Sequence, residues 1–147
     1  MKRLAAAVAI VSLALVGPAL ADASKKTKTT HVSIKGWAIT TSDGKTGTIP
    51  PHGTFRHCPD ITVAGIDAKG RVRDAKIGDT YATSWAQNGM HIVTIHGKWT
   101  RKKGKIDFGV TNSDSNVPDG KYGFVVLQKG KTVGKSSMTL ASSSAAC

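Results

Sequence analysis

The sequence predicts an all-β protein, an antiparallel β-sandwich of about seven strands, and three observations predict it. Helical periodicity is absent, since no stretch of about a dozen residues carries apolar side chains at spacings of three and four. Sixteen glycines punctuate the 147-residue chain at short intervals. Between them lie runs in which β-branched and aromatic residues alternate with polar ones, each run closed by a turn dipeptide or a polar cluster. A small closed barrel is the alternative arrangement of the same strands.

The elements follow in order. Met1, Lys2 and Arg3 precede an apolar run from Leu4 to Val16, a Gly17-Pro18 break and Ala19-Leu20-Ala21. That succession is the charged, apolar and small-residue pattern of a secretory signal peptide, with cleavage expected after Ala21. The run falls short of the roughly 20 apolar residues that span a bilayer, and no later stretch is apolar enough to do so. The chain therefore divides into a signal peptide over 1–21, a flexible basic arm over 22–29 with Lys25, Lys26 and Lys28, and a β domain over 30–147. The expected destination is the periplasm or the medium.

Within the domain, Val32 and Ile34 alternate with His31, Ser33 and Lys35; Gly36 then breaks the phase, and Trp37 and Ile39 resume it. This predicts one strand carrying a bulge. Asp43-Gly44 supplies a turn, and Ile49-Pro50-Pro51-His52-Gly53 reads as a loop, because proline is excluded from central strands. The next run covers 60–67 and is expected to end at Ala68-Lys69-Gly70. Residues 79–86 place Tyr81, Thr83 and Trp85 on one face. Asn88-Gly89 follows at once and is the strongest hairpin signal in the chain, since both positions tolerate positive φ. The return strand is expected over 90–100, with Arg101-Lys102-Lys103-Gly104 turning into 105–111. A longer loop leads to 121–128, and Lys129-Gly130 closes a second hairpin onto 132–141.

A Trp-bearing strand, a hairpin, a second Trp-bearing strand and the block Pro118-Asp119-Gly120-Lys121-Tyr122-Gly123-Phe124 come in that order, followed by Lys129-Gly130 and a final strand. This order resembles that of the immunoglobulin-like domains found in bacterial exported proteins. The likeness covers roughly residues 58–141. It implies an immunoglobulin-like fold and a binding, spacer or assembly module, and nothing more exact about activity. The two cysteines do not sit on facing middle strands as they do in antibody domains, so antigen-receptor behaviour is not implied.

Composition narrows the function. The chain carries a formal net charge of +12, and removal of Lys2 and Arg3 with the signal peptide leaves +10 on 126 residues. All nine acids are Asp, which excludes mechanisms that need a Glu acid or base. Lysine outnumbers arginine by 16 to 5, favouring diffuse solvated charge over a planar bidentate grip. Cys58 and Cys147 are the only cysteines, and in an oxidising compartment the simplest reading is one bridge between them. Such a bridge would close a loop of about 90 residues and leave no thiolate for catalysis.

Several constellations compete for a functional role. His91 and His96 share a strand, where an odd separation puts them on opposite faces. His52 and His57 flank an open loop. Asn112, Asp114 and Asn116 begin like a calcium loop, but the sixth position is Val117 and the twelfth Gly123, where Gly and a bidentate Glu are required. Gly130, Gly134, Lys135 and Ser136 resemble a phosphate loop one residue too short, with no helix to follow. No nucleophile-elbow motif occurs, and no metal or cofactor is expected.

The basic turn remains. Lys98, Arg101, Lys102, Lys103 and Lys105 surround it with Trp99 among them, and Lys129, Lys131 and Lys135 surround a second. Converging cations with an aromatic suit a polyanion. Lysines at turns also block edge pairing, and Trp37, Trp85 and Trp99 are expected in the core unless one is exposed beside lysines. The reading is a non-catalytic exported module that binds an anionic envelope polymer or an envelope protein through Lys98, Trp99, Arg101, Lys102, Lys103 and Lys105. Nucleic acid suits the charge but has no motif in its favour. The alternatives are a small hydrolase or metal-dependent enzyme using His52, His57 and a nearby Asp, and an assembly or inhibitor domain acting through an edge strand.

Overall fold

Alternate burial of Val32 and Ile34 against exposed His31 and Lys35 makes the first run a strand, β1 (His31–Thr41), in the computed structural model of the chain, which describes residues 26–111 and 116–147. The segment read as a signal peptide lies outside the described residues, as do Asn112 and Asp114 of the calcium-like loop. The phase break at Gly36 is a bulge, seen as a register shift between Ile34 and Gly36 against β4 (Val63–Arg73). Glycine is needed there, because a Cβ would lie 2.7 Å from the carbonyl oxygen of Ile49 at the end of β2 (Thr46–Ile49).

Two features differ from the sequence reading. The described residues form nine strands, not about seven, because β2 and β3 (Thr54–His57) flank the Pro50-Pro51 loop. Each has four residues and pairs on one side only, too short for alternation to be legible. The second correction concerns Ala68-Lys69-Gly70, which does not end a run. These residues lie inside β4, with Gly70 opposite Ile34 and buried where a Cβ would stand 3.1 Å from the Ser33 carbonyl oxygen. The glycine marks a close backbone approach at the bulge, and Arg71, Val72 and Arg73 continue the strand.

Both hairpins are as expected. Asn88 and Gly89, with φ of 49° and 83°, join β5 (Thr80–Gln87) to β6 (Met90–Lys98). Lys129 and Gly130, with φ of 49° and 73°, join β8 (Gly120–Gln128) to β9 (Lys131–Ser142). The segment after Lys98 is no hairpin. It carries the chain from β6 in one sheet to β7 (Gly104–Thr111) in the other. The first sheet has the order β2-β1-β4-β7 and the second β3-β9-β8-β5-β6; every pair is antiparallel except β3 with β9.

The sheets close over Trp37, Trp85, Phe108 and Phe124, with ring centroids 4.6–6.0 Å apart between neighbours. Such pairs add about 0.5–1.5 kcal/mol each beyond their buried area. Tyr122, near the start of β8 and 1% exposed, donates its hydroxyl to the carbonyl of Pro118 at 2.6 Å. Burial, with the Asp119 charge beside it, pushes the phenol up to about 12, so it remains a donor at neutral pH. A tyrosine near the start of a strand bonding back to the backbone a few residues upstream of that strand, and a buried tryptophan on a middle strand, are marks of the immunoglobulin-like sandwich, and the fold is of that class.

Tyr122→Phe is expected to cost about 1 kcal/mol, because it removes one hydrogen bond at a solvent-reachable carbonyl and leaves the ring in place. Urea denaturation of the two proteins measures it, and an unchanged midpoint would mean that water replaces the hydroxyl at no cost.

The disulfide forms as expected. Cys58 and Cys147 are bonded, with Cα atoms 4.8 Å apart. Cys58 follows β3, and Cys147 ends a 3-10 turn at Ser144–Ala146, so the bridge ties an edge strand to the tail beyond β9.

Candidate functional site

The expected cationic cluster is divided by the crossing between sheets. Trp99 is 1% exposed and belongs to the core, as expected of the three tryptophans, which takes it out of the ligand-binding set that named it with Lys98, Arg101, Lys102, Lys103 and Lys105. Its ring packs on Tyr81 at 4.3 Å, and its Nε1 donates to Gln128 Oε1 at 3.2 Å. The signal was in the sequence. Val93, Ile95 and Gly97 already mark one face at period two, and Trp99 continues it. Gly97 is the space into which Tyr81 leans, since a Cβ there would meet the phenol ring at 2.5 Å.

The exposed cations go to three places. Lys98 pairs with Thr80, and its register puts it on the outer face of the second sheet. Lys105 pairs with Arg71 on the outer face of the first. Arg101, Lys102 and Lys103 occupy the connection at the end of the sandwich, which is strapped to the 74–79 segment by backbone hydrogen bonds. Ala75 N–H donates to Lys102 at 3.1 Å, Gly78 N–H to Trp99 at 2.9 Å and Trp99 N–H to Asp79 at 3.0 Å.

Other cations from distant parts of the chain join them. Lys28 of the arm and Arg73 at the end of β4 line an open concavity of about 460 Å³ together with Lys102 and Lys103. The β8–β9 turn with Lys129 lies at the same end, because Gln128 bridges Trp99 and Asp79. Both acids there are engaged: Asp74 lies 3.9 Å from Lys28, and Asp79 Oδ2 accepts from Gln128 Nε2 at 3.4 Å. The opposite end carries Asp43, Asp60 and Asp119 in its turns. The sandwich is thus charged unequally along its length, basic at the arm end.

The histidines do not form the enzyme-like cluster. His52 has a φ of 62°, and its Nδ1 lies 2.7 Å from Ser137 Oγ. His57 is engaged elsewhere, its Nε2 2.7 Å from Asp119 Oδ1 and its Nδ1 2.7 Å from the Ile61 carbonyl oxygen. Burial works against the charge of His57, but the Asp119 carboxylate and the carbonyls outweigh it and raise its pKa.

His91 and His96 prove to be on the same face, opposite Ala86 and Ala82, because a bulge between Trp85 and Ala86 adds one residue to β6 and undoes the odd separation. They remain about 13 Å apart along the strand. Among the described residues no three His, Cys, Asp or Glu side chains converge as metal ligands. Gly134, Lys135 and Ser136 lie in β9, outside any loop. The feature relevant to edge-strand assembly is β6, which borders the second sheet and exposes Met90, Ile92 and Ile95.

No protein-family model and no curated protein matches the chain. Among solved structures it is similar to the CARDB domain of a Pyrococcus furiosus protein crystallised with di-metal ions, at 11% identity and a TM-score of 0.40, over 78% of this chain and 94% of that one.

Proposed function

We propose that the protein is an exported, non-catalytic binding module whose arm end holds an anionic polymer of the cell envelope. The observation that carries this reading is the gathering of Lys28, Arg73, Arg101, Lys102 and Lys103 at one end of the sandwich, an excess of cations over the neighbouring Asp74, which Lys28 pairs, and Asp79. The signal-peptide pattern and the disulfide support export to an oxidising compartment. No helix among the described residues is long and apolar enough to cross a membrane. A non-catalytic role is supported by the separate engagement of the two histidines, His52 with Ser137 and His57 with Asp119, so that they do not share one site.

Lysines on mobile stems, spread over several connections, suit a flexible polyanion better than one shaped ligand. The test is retention of the purified oxidised protein on immobilised polyanion across a salt gradient. Affinity is expected to fall steeply with salt, and R101Q/K102Q/K103Q is expected to reduce the log–log slope by about one for each anionic group that is no longer neutralised. Retention that ignores salt, or that survives the triple variant unchanged, sinks the reading.

A further inference from the structure

Resting on that reading, we infer that the binding surface continues from the arm end over the outer face of the first sheet, as a track for a linear phosphodiester chain gripped by Arg71 and Arg73. The two arginines alternate along β4 and face outward, about 6.6 Å apart at the rise of a strand. That interval is comparable with the repeat of neighbouring phosphates in an extended phosphodiester chain. Ser33 and His31 of β1 stand opposite Arg71 and Arg73, offering further hydrogen-bonding groups.

The face is also frustrated in a way that folding does not explain. Arg71 and Lys105 are direct cross-strand partners, a like-charge juxtaposition that destabilises a sheet. Asp107, the acid that follows on the same face, is taken by Lys69 at 3.1 Å. A bound anion would relieve this repulsion, and the Arg guanidinium fork matches a phosphate with two parallel hydrogen bonds.

A concavity of about 270 Å³ lined by His31, Ser33, Lys35, Arg71 and Arg73 adjoins the larger concavity of the arm end at Arg73. The occupant is a polyol phosphate in preference to a nucleic acid, because base recognition on single strands uses aromatic platforms. None of the exposed large apolar side chains among the described residues is aromatic, and all three tryptophans are buried. Recognition is then of the phosphates alone.

The probe is a short synthetic poly(glycerol phosphate), with a single-stranded oligodeoxynucleotide and polyglutamate as competitors of the same length. The wild-type protein is expected to bind the polyol phosphate most tightly. R71Q/R73Q is expected to weaken that binding at least tenfold and flatten the salt slope by about two. R71K/R73K is expected to keep the slope and bind severalfold more weakly, because the charge remains and the fork is gone. The melting temperature of R71Q/R73Q should stay level or rise, since a like-charge pair is removed. If R71Q/R73Q binds as tightly as R73Q alone, the track is overturned, and the arm-end reading, to which Arg73 also belongs, stands. Absence of salt-dependent binding to any of the three polymers overturns the arm-end reading itself. Equal or tighter binding of oligonucleotide or polyglutamate overturns the choice of ligand.

Discussion

Replacement of Cys58 and Cys147 by serine, or reduction of their bridge, is expected to lower the free energy of unfolding by about 2–4 kcal/mol. The bridge spans 89 residues of sequence, so in the chain-entropy view it removes a large closure term from the unfolded ensemble. Its local surroundings make the effect visible in the native state as well. β3 is a four-residue edge strand held by β9 on one side only, and the tail beyond Ser142 has a single turn of 3-10 helix. Without the bridge, the tail keeps the backbone hydrogen bond from Ser143 N–H to the His57 carbonyl at 2.8 Å. Thermal denaturation with and without reductant should show a fall of about 10 °C for a domain of this size. Hydrogen exchange should place the first loss of protection in β3 and the end of β9. An unchanged midpoint would mean that the remaining interactions hold the tail unaided.

His57→Ala and Asp119→Asn are expected to cost about 1–3 kcal/mol each at pH 5–6, and to change how stability depends on pH. The His57 side chain is 10% exposed, and both ring nitrogens face acceptors: the carbonyls of Cys58 and Ile61 at 3.0 and 2.7 Å, and Asp119 at 2.7 Å. Only the imidazolium donates from both nitrogens, so this geometry selects the charged form. Asp119 also accepts from Ser142 N–H at 2.7 Å, which joins β3, the start of β8 and the end of β9.

Burial acts to raise the pKa of Asp119, but His57 and the Ser142 N–H outweigh it and lower it below 3.8. The pKa of His57 is raised above 6.5 by the balance already described. In that state the native protein holds the His57 proton more tightly than the unfolded chain does. Its contribution is therefore complete below 6.5 and lost as pH climbs through the folded value. Asp119 contributes fully above 3.8 and loses its contribution as pH falls through its own folded value. Urea midpoints of wild type and Asp119→Asn from pH 4 to pH 9 should differ most between these limits and narrow above the folded pKa of His57 to the share that the Ser142 N–H bond keeps. A constant difference across the range would mean that His57 is not charged in the native state.

Strand and turn positions were legible where a local rule decides them. Asn88-Gly89 and Lys129-Gly130 take the positive φ their turns require, and the break at Gly36 is a bulge. Gly70 was misread because a glycine that ends a strand and a glycine that lets a neighbouring backbone approach look alike in one dimension. That error also hid Arg71 and Arg73, which alternation would have placed outward had the run been continued. β2 and β3 escaped because four residues at an edge show no period.

Of the candidate site, the residues were legible and their company was not. Lys102 and Lys103 were named from their clustering, whereas Lys28 and Arg73 reach them only because the arm, β4 and the β6–β7 connection end at the same place. Trp99 was counted with its neighbours in sequence, but period two sends it to the core and leaves Lys98 on the opposite sheet from Lys105. The sequence by itself determined the β class, the hairpins and the single cysteine pair, because each depends on residue type or spacing. Only the tertiary structure decided that the basic connections share one end while the His57–Asp119 pair and the disulfide lie at the other. That division follows from which strands pair and which connections cross between sheets, and long-range topology is not written in local periodicity.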